Sequence, residues 1–291
     1  MTAAAPTTKD YLVACNLAYC EGSLNEATST TPSQAVLQAD MAKAMATMDA
    51  QSWTVVSIQY TPKDGFYGVS FLNNSGSLII AYEGTSPAAS TYGLATLKAD
   101  AEIQQHHTPT QLFNDVAQFA LASESAAQTH AGFNGNAYVT GHSLGGIEAE
   151  SAAIYLNSQS HNAQGVSFGG GVTFGATGIP GYVNNPATAP KLVNYVDYGD
   201  PVGNYASHMP AGTGNDYIAV PLITPPQDHV GTVAMVGDPG DWNVVSPTFL
   251  TFGYHMLDHY AEDMGVSIPT IAPISNIPLA QQFWDLLSAS V

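Results

Sequence analysis

Residues 137–146, Ala-Tyr-Val-Thr-Gly-His-Ser-Leu-Gly-Gly, constrain this chain more than any other stretch. A short apolar strand at 138–140 leads into a Gly-x-Ser-x-Gly turn, and a helix-compatible run at 147–156 follows. In this order the pattern forms a nucleophile elbow, in which a strained turn lifts the serine hydroxyl away from the backbone. Glycine on both sides of the serine lets the strand and the helix pass closely. The stretch therefore predicts that Ser143 is a nucleophile for acyl transfer from an ester or amide.

A second Gly-x-Ser-x-Gly occurs at 165–169, so the pattern alone is weak evidence in a chain this rich in glycine and serine. No strand is predicted before this second match, and an extended segment at 172–174 follows it in place of a helix. We therefore predict no elbow there and interpret Ser167 as a serine beside a strand.

Charge limits the partners of this chain. Five lysines, no arginine and 23 acidic residues give a net charge of −18. Nucleic acid is excluded as a partner because phosphate backbones are bound by cationic side chains, and attraction to anionic lipid surfaces is disfavoured. The acidity is explained by solubility, or by an acidic or saline environment outside the cell.

Export and redox state are weakly specified by the sequence. Residues 1–10 contain no apolar segment of a signal peptide, and no run approaches the roughly 18 apolar residues of a membrane span. We expect an extracellular protein, with the cytoplasm as the alternative. Its export signal has been trimmed from this sequence, or it leaves the cell by another route. Cys15 and Cys20 lie on different faces of a predicted helix, so two buried thiols are expected and not a disulfide.

Predicted helices and strands alternate after a helical N-terminal region. The predicted elements are helices at 9–48, a strand at 53–60, a hairpin at 66–72 and 78–82, helices at 94–103 and 111–129, strands at 171–174 and 191–196, loops at 201–250, and helices at 252–264 and 279–288. This alternation, together with the segment at 137–156, predicts one α/β domain over residues 1–291 with a central, mostly parallel sheet flanked by helices. We expect the N-terminal helices and the tail helix to pack on that body.

A serine nucleophile needs a histidine base and an acid that orients the base. In α/β-hydrolases, the superfamily in which this elbow occurs, the acid follows the serine along the chain and the histidine comes last. Asp200 is favoured as the acid because it follows the strand at 191–196, at the sheet edge that also carries the elbow. Asp197 is the alternative, although its position also suits a turn-capping role.

His255 is favoured as the base among the histidines that follow Ser143. His259 is its rival, because it lies one helical turn further on and shares a helical face with His255. His208 and His229 fall in predicted loops, where surface or structural roles are expected.

An oxyanion hole requires two backbone N–H groups that point at the developing negative charge. One belongs to the residue after the nucleophile, Leu144, and the other to the loop after an early strand. The strand at 78–82 ends in Glu83-Gly84-Thr85-Ser86, so Thr85 is the predicted second donor. Its hydroxyl either adds a hydrogen bond or fixes the loop.

These pieces together resemble the class 3, or fungal-type, lipases and their bacterial relatives, including phospholipase A1-like members. Four blocks are similar to the family's motifs in the same order, at 80–85, 140–146, 173–176 and 200–202, and the elbow block is the most specific. The separations between the predicted catalytic residues also resemble the family's, and His255 followed by Tyr260 looks like the histidine block of bacterial members. The resemblance implies an α/β-hydrolase fold, no cofactor, and Ser143, Asp200 and His255 as the catalytic residues.

The chain departs from the family's pattern at several positions. Glu83 replaces the usual arginine, and Thr177 replaces a proline. Glu148 and Glu150 lie in the helix after the elbow, where small apolar residues are usual, and they either face solvent at a rim or tune the pocket. The segment at 87–94, where the family has its lid, is small and weakly apolar. A short lid or none is therefore expected, with little activation at a lipid interface.

Sequence and resemblance predict a cofactor-free serine hydrolase, a triacylglycerol lipase or carboxylesterase that acts on acyl esters or lipids. Phospholipase A1 and a polyester-degrading hydrolase are the alternatives, and a non-catalytic binding module on the same fold is the rival from another class. Asp100 looks like the family's aspartate just beyond the lid. No metal is predicted for catalysis, because His106-His107 and 238–241 lack the spacing of zinc or EF-hand sites.

Overall fold

The computed structural model describes residues 4–19, 32–86, 91–104, 107–170, 191–200, 202–204, 231–244 and 253–269. Within these ranges seven strands form one sheet in chain order. The strands are β1 (Thr54–Thr61), β2 (Phe66–Leu72), β3 (Leu78–Tyr82), β4 (Ala137–His142), β5 (Gln164–Phe168), β6 (Lys191–Asp197) and β7 (Thr232–Val236). β1, β2 and β3 pair antiparallel, and every pair from β3 to β7 is parallel.

The described helices cover both faces of the sheet. They are α1 (Thr8–Ala18), α2 (Gln34–Thr47), α3 (Thr91–Gln104), α4 (Thr110–Ala127), α5 (Leu144–Ser158) and α6 (Leu257–Asp263), with 3₁₀ segments at Pro62–Asp64 and Pro239–Val244. β3 divides the core, because successive side chains of a strand point to opposite faces. Ile80 and Tyr82 pack with α4 and α5, whereas Ile79 and Ala81 pack with α1 and α2.

The predicted fold class is confirmed, since the sheet is mostly parallel and lies between helices. The β2–β3 hairpin arises because a four-residue turn, Asn73-Asn74-Ser75-Gly76, joins two fully buried strands. The parallel strands place the ends of β4 and β6 at one edge of the sheet, as predicted for the elbow and for Asp200.

Two strands were missed by the sequence analysis. β5 contains Ser167 itself, and β7 lies inside the stretch that was predicted as loops. Both are five residues long, and their pairing with β6 supplies hydrogen bonds that local composition does not reveal. Several predictions lie outside the described residues: the strand at 171–174, the helix at 279–288, Cys20, Thr177, His208 and His229.

The N-terminal helix α1 is almost entirely buried against the sheet and α6. Its Cys15 Sγ lies 3.2 Å from Thr140 Oγ1, next to the elbow, and burial raises the pKa of this thiol to about 12. The thiol is therefore protonated and packs as a small side chain. No described helix combines the length and the apolar character needed to cross a membrane.

Candidate active site

The turn between β4 and α5 has the strained backbone that was predicted for the elbow. Ser143 adopts φ 59° and ψ −128°, a conformation that a non-glycine residue rarely takes. A Cβ at Gly141 would overlap the carbonyl of Gly145, and a Cβ at Gly145 would overlap the carbonyl of Tyr82. Both glycines are therefore required for strand and helix to cross, and the serine remains partly exposed at the tip of the turn.

The structure brings three predicted site residues together at the edge of the sheet. Ser143 Oγ lies 2.8 Å from His255 Nε2. On the other side of the ring, His255 Nδ1 lies 2.9 and 3.0 Å from the two carboxylate oxygens of Asp200. A hydroxyl, an imidazole and a carboxylate in this order can transfer a proton from the hydroxyl to the ring and stabilise the resulting imidazolium.

Three groups besides His255 hold the fully buried Asp200 carboxylate. Its Oδ1 accepts hydrogen bonds from the backbone N–H groups of Val202 at 2.7 Å and Gly203 at 3.1 Å, and its Oδ2 accepts one from the Tyr260 hydroxyl. Burial alone would raise the pKa of Asp200, but the charge and hydrogen bond of His255, with the other donors, lower it overall. The group therefore stays ionised and can orient the ring.

His142, the residue before the serine, contacts His255. Its Nε2–H donates to the carbonyl oxygen of His255, and its Nδ1 accepts from the Tyr19 hydroxyl at 2.7 Å. Burial, with the neighbouring His255 charge, lowers the pKa of His142 to about 3, so the ring is neutral and holds one tautomer. Sequence reasoning assigned this residue no role, although it occupies the variable position of the elbow motif.

The predicted oxyanion donors belong to two separate parts of the chain, the start of α5 and the loop after β3. Leu144 is the first residue of α5, and an N–H at that position has no acceptor within its own helix. Thr85 follows β3, and its hydroxyl donates to Asp100 Oδ2 at 2.6 Å. The Thr85 hydroxyl therefore fixes the loop, one of the two roles that the sequence left open. Burial raises the pKa of Asp100 to about 7, although this hydrogen bond acts to lower it.

The two rival residues do not join this arrangement. Asp197 Oδ1 accepts from the backbone N–H of Gly199 at 2.6 Å, which is the turn-capping contact considered for it. His259 Nε2 lies 3.7 Å from Asp197 Oδ2 and 3.5 Å from Asp263 Oδ2. The rivals are therefore neighbours of each other, where the end of β6 meets α6.

The second glycine-serine motif forms no elbow. Ser167 is buried within β5 and donates to Asn194 Oδ1 on β6. Its environment is that of a core polar residue in a cross-strand hydrogen bond.

Glu148 and Glu150 do not face solvent at a rim, because both side chains are fully buried in α5. Burial raises the pKa of Glu148 well above its usual range, and the neighbouring Glu83 and Asp100 carboxyl groups add to this effect. Glu148 is therefore held as a neutral acid in the core below the loop that carries Thr85.

No protein-family model matches the chain. No curated protein sequence matches it significantly. Several solved structures resemble it. Lip2 lipase from Yarrowia lipolytica is 14% identical, and the match covers 91% of this chain and 94% of that one with a TM-score of 0.49. M37 lipase is 14% identical over 98% of this chain and 99% of that one, with a TM-score of 0.46.

A third solved structure, the mono- and diacylglycerol lipase from Aspergillus oryzae, is 14% identical over 86% of this chain and 96% of that one, with a TM-score of 0.44. Such low identities and TM-scores say nothing about the activity of this chain. The functional proposal therefore depends on the geometry around Ser143.

Proposed function

We propose that the protein is a cofactor-free serine hydrolase of carboxylic esters, a lipase or esterase, which works through Ser143, His255 and Asp200. The observation that carries the proposal is the unbroken hydrogen-bond chain from the serine hydroxyl through the imidazole to the carboxylate. A partly exposed serine on a strained turn, with a base at 2.8 Å, is a nucleophile that a substrate can reach.

In the first half of the reaction, His255 Nε2 takes the proton of Ser143 as Oγ attacks the ester carbonyl. Asp200 stays ionised and stabilises the imidazolium, which then gives the proton to the leaving alcohol. The product is an acyl-enzyme on Ser143. In the second half, water takes the place of the alcohol, and the same histidine removes its proton before the acid leaves.

The developing oxyanion is proposed to accept hydrogen bonds from the backbone N–H groups of Leu144 and Thr85. The contact between the Thr85 hydroxyl and Asp100 supports this, because it holds the loop backbone in place before substrate arrives. The N-terminus of α5, which begins at Leu144, adds a partial positive charge at the same point.

Within esters, neutral lipid and simple acyl esters are proposed ahead of phospholipids. A chain with five lysines and no arginine has few groups to pair with an anionic head group. Phospholipase A1 and polyester hydrolase activities remain the alternatives. An extracellular location and membership of the bacterial branch of class 3 lipases also stay predictions.

Covalent labelling tests the nucleophile directly. A p-nitrophenyl alkylphosphonate should modify one serine and release nitrophenol in equal amount, and peptide mass spectrometry should place the adduct on Ser143. Ser143→Ala should abolish labelling, whereas Ser167→Ala, which removes the serine of the second motif, should not. A wild-type protein that stays unmodified would identify the chain as a non-catalytic module on this fold.

A substrate panel then separates the ester classes. p-Nitrophenyl esters of graded chain length, a triglyceride emulsion and a phosphatidylcholine dispersion should show turnover of the first two in excess of the third. A sharp rise in rate when the ester forms an emulsion would contradict the prediction of a short lid or none.

A further inference from the structure

The carboxyl ends of β6 and β7 carry a second cluster of polar side chains, apart from Ser143. Asp197 ends β6, while His259 and Asp263 occupy successive turns of α6. One ligand atom from each of the three side chains lies within 4.8 Å of the other two, and His259 Nε2 faces Oδ2 of both aspartates. The three atoms therefore converge on one small volume between the sheet edge and the helix.

Within this cluster, Asp197 Oδ2 is a buried carboxylate oxygen that lacks a hydrogen-bond donor. The residue is fully buried, and with both aspartates ionised this oxygen accepts no hydrogen bond from the described residues, whereas Oδ1 is satisfied by the turn at Gly199. Asp263 could bond to it only through a proton held between the two carboxyl groups. A buried carboxylate oxygen without a partner is costly unless something binds it. Its neighbours at this point are His259 and Asp263, so the missing partner is one that these two side chains can share.

The backbone just after β7 passes close to the two carboxylates. Gly237, the residue after β7, has φ 81°, and a Cβ there would overlap Asp197 Oδ2 and lie 3.0 Å from Asp263 Oδ2. Glycine at this position lets the two oxygens lie beside the backbone, because any larger residue would push them away.

We propose that Asp197, His259 and Asp263 bind a divalent transition-metal ion of the zinc type. Imidazole nitrogen and carboxylate oxygen are ligands of such ions, and calcium is disfavoured because it takes six to eight oxygen ligands. A tetrahedral ion with ligands about 2.0–2.1 Å away spaces those ligands roughly 3.3 Å apart. The observed separations of 3.5 and 3.7 Å from His259 Nε2 need only small side-chain adjustments.

Local charge favours a cation. Two carboxylates meet one histidine, and within the described parts of the chain no lysine pairs with either of them, since the described lysine ion pairs lie at 40–43, 63–64 and 98–102. The ion would link α6 to the end of β6. That helix begins two residues after His255, and β6 ends shortly before Asp200. Binding therefore stabilises the fold near the proposed catalytic residues without taking part in the reaction.

Zinc titration of metal-stripped protein tests the site. Isothermal titration calorimetry with zinc chloride should give one ion per chain with micromolar affinity or better, and saturating zinc should raise the melting temperature by several degrees. Calcium chloride at the same concentration should neither bind with that affinity nor compete. The inference is overturned if zinc does not bind, or if calcium displaces it.

Variants identify the ligands. Asp263→Asn and His259→Gln should each weaken zinc binding by roughly 100-fold or more, because even outer-shell partners contribute about 10–100-fold. Asp263 lies at the exposed end of α6, so its variant should melt near the metal-free wild type. The matched control is His161→Gln, which removes a different histidine that lies 2.7 Å from Glu124, and it should bind zinc as the wild type does.

The proposal fails if binding survives both ligand variants or is lost only in the control. It is independent of the proposed function, since Ser143→Ala should bind zinc normally whether or not the wild type hydrolyses esters.

Discussion

Two pairs of aspartate and histidine lie side by side at the same end of the sheet, and they differ in almost every physical respect. Asp200 and His255 are within hydrogen-bond distance at 2.9 Å, whereas Asp197 and His259 stand 3.7 Å apart. Asp200 is held by two backbone N–H groups and a tyrosine besides the histidine, but Asp197 leaves Oδ2 without a hydrogen-bond partner among the described residues.

Residue type and position along the chain do not by themselves distinguish the two pairs. Asp197 ends β6 and Asp200 lies three residues later, while both histidines belong to one short segment of chain. Asp200 and His255 differ from the other pair in two ways. Ser143 lies within hydrogen-bond distance of His255, and several donors keep the Asp200 carboxylate charged. The two pairs are therefore distinguished by how many groups converge on each side chain.

Replacing the two histidines in turn gives the largest expected effect. His255→Ala should lower kcat/KM for a p-nitrophenyl ester by roughly 10⁵-fold or more, because the proposed base for Ser143 is lost. His259→Ala should cost far less, within about tenfold. Steady-state kinetics on both variants, checked for folding by circular dichroism, decides between them. If only His259→Ala is inactive, the two pairs have been assigned the wrong way round.

The aspartates give the next largest contrast. Asp200→Asn keeps the shape of the side chain but removes the charge that orients and stabilises the His255 ring, and a loss of about 10⁴-fold in kcat is expected by analogy with other triads. Asp197→Asn should leave kcat within about tenfold. Equal losses in both variants would mean that the aspartates act structurally, through the turn that contains them, and not through the histidine.

Much of this arrangement was predictable because local sequence dictates it. Gly141 and Gly145 specify the elbow, and Asp200 was placed by the rule that loops after parallel strands share one sheet edge. The supporting side chains were not predictable in the same way. The contact of His142 with Tyr19 joins residues 123 positions apart, and nothing near either residue signals it.

The glutamates in α5 show the same limit. Their sequence context allowed either a rim or a pocket, and the packing of α4 and of strands β3 to β5 against the helix buries them. β5 and β7 were missed for a related reason, since strands of five residues draw their stability from partners on either side and not from their own composition.

A third aspartate, Asp100, differs from Asp200 in how it should make the stability of the fold depend on pH. Asp100 has the Thr85 hydroxyl as its hydrogen-bond donor, and burial raises its pKa to about 7, whereas the pKa of Asp200 is lowered. The folded state therefore keeps the Asp100 proton to higher pH than the unfolded chain does. Stability that this group contributes at about pH 4 should be lost as the pH rises to about 7, at up to about 1.4 kcal/mol per pH unit.

Asp100→Asn should flatten that part of the curve, as measured by urea unfolding at pH 4, 5.5 and 7. Asp200 has the opposite sign, because a lowered pKa costs stability only as the pH falls below about 4 and through its folded value. Parallel curves for the wild type and Asp100→Asn would contradict the raised pKa.

Tyr260 is the side chain that touches both pairs, and its replacement should have the smallest effect. Its hydroxyl donates to Asp200 Oδ2 and accepts from the backbone N–H of Asp197 at 3.0 Å. Burial and the Asp200 charge raise the pKa of Tyr260, so the hydroxyl keeps the proton that it donates. Tyr260→Phe should lower the free energy of unfolding by about 1.5–3 kcal/mol, the contribution of a hydrogen bond to a charged group.

The same substitution should leave Asp200 with fewer donors and so raise its pKa, which moves the acid limb of the kcat/KM profile to higher pH with a loss of tenfold or less at neutral pH. Tyr254→Phe is the matched control, because that ring contacts His259 and its hydroxyl donates to Asp241. The control should leave the acid limb in place. A shift in the control and none in Tyr260→Phe would mean that Asp197 and His259, and not Asp200 and His255, set the ionisation on which the proposed hydrolysis depends.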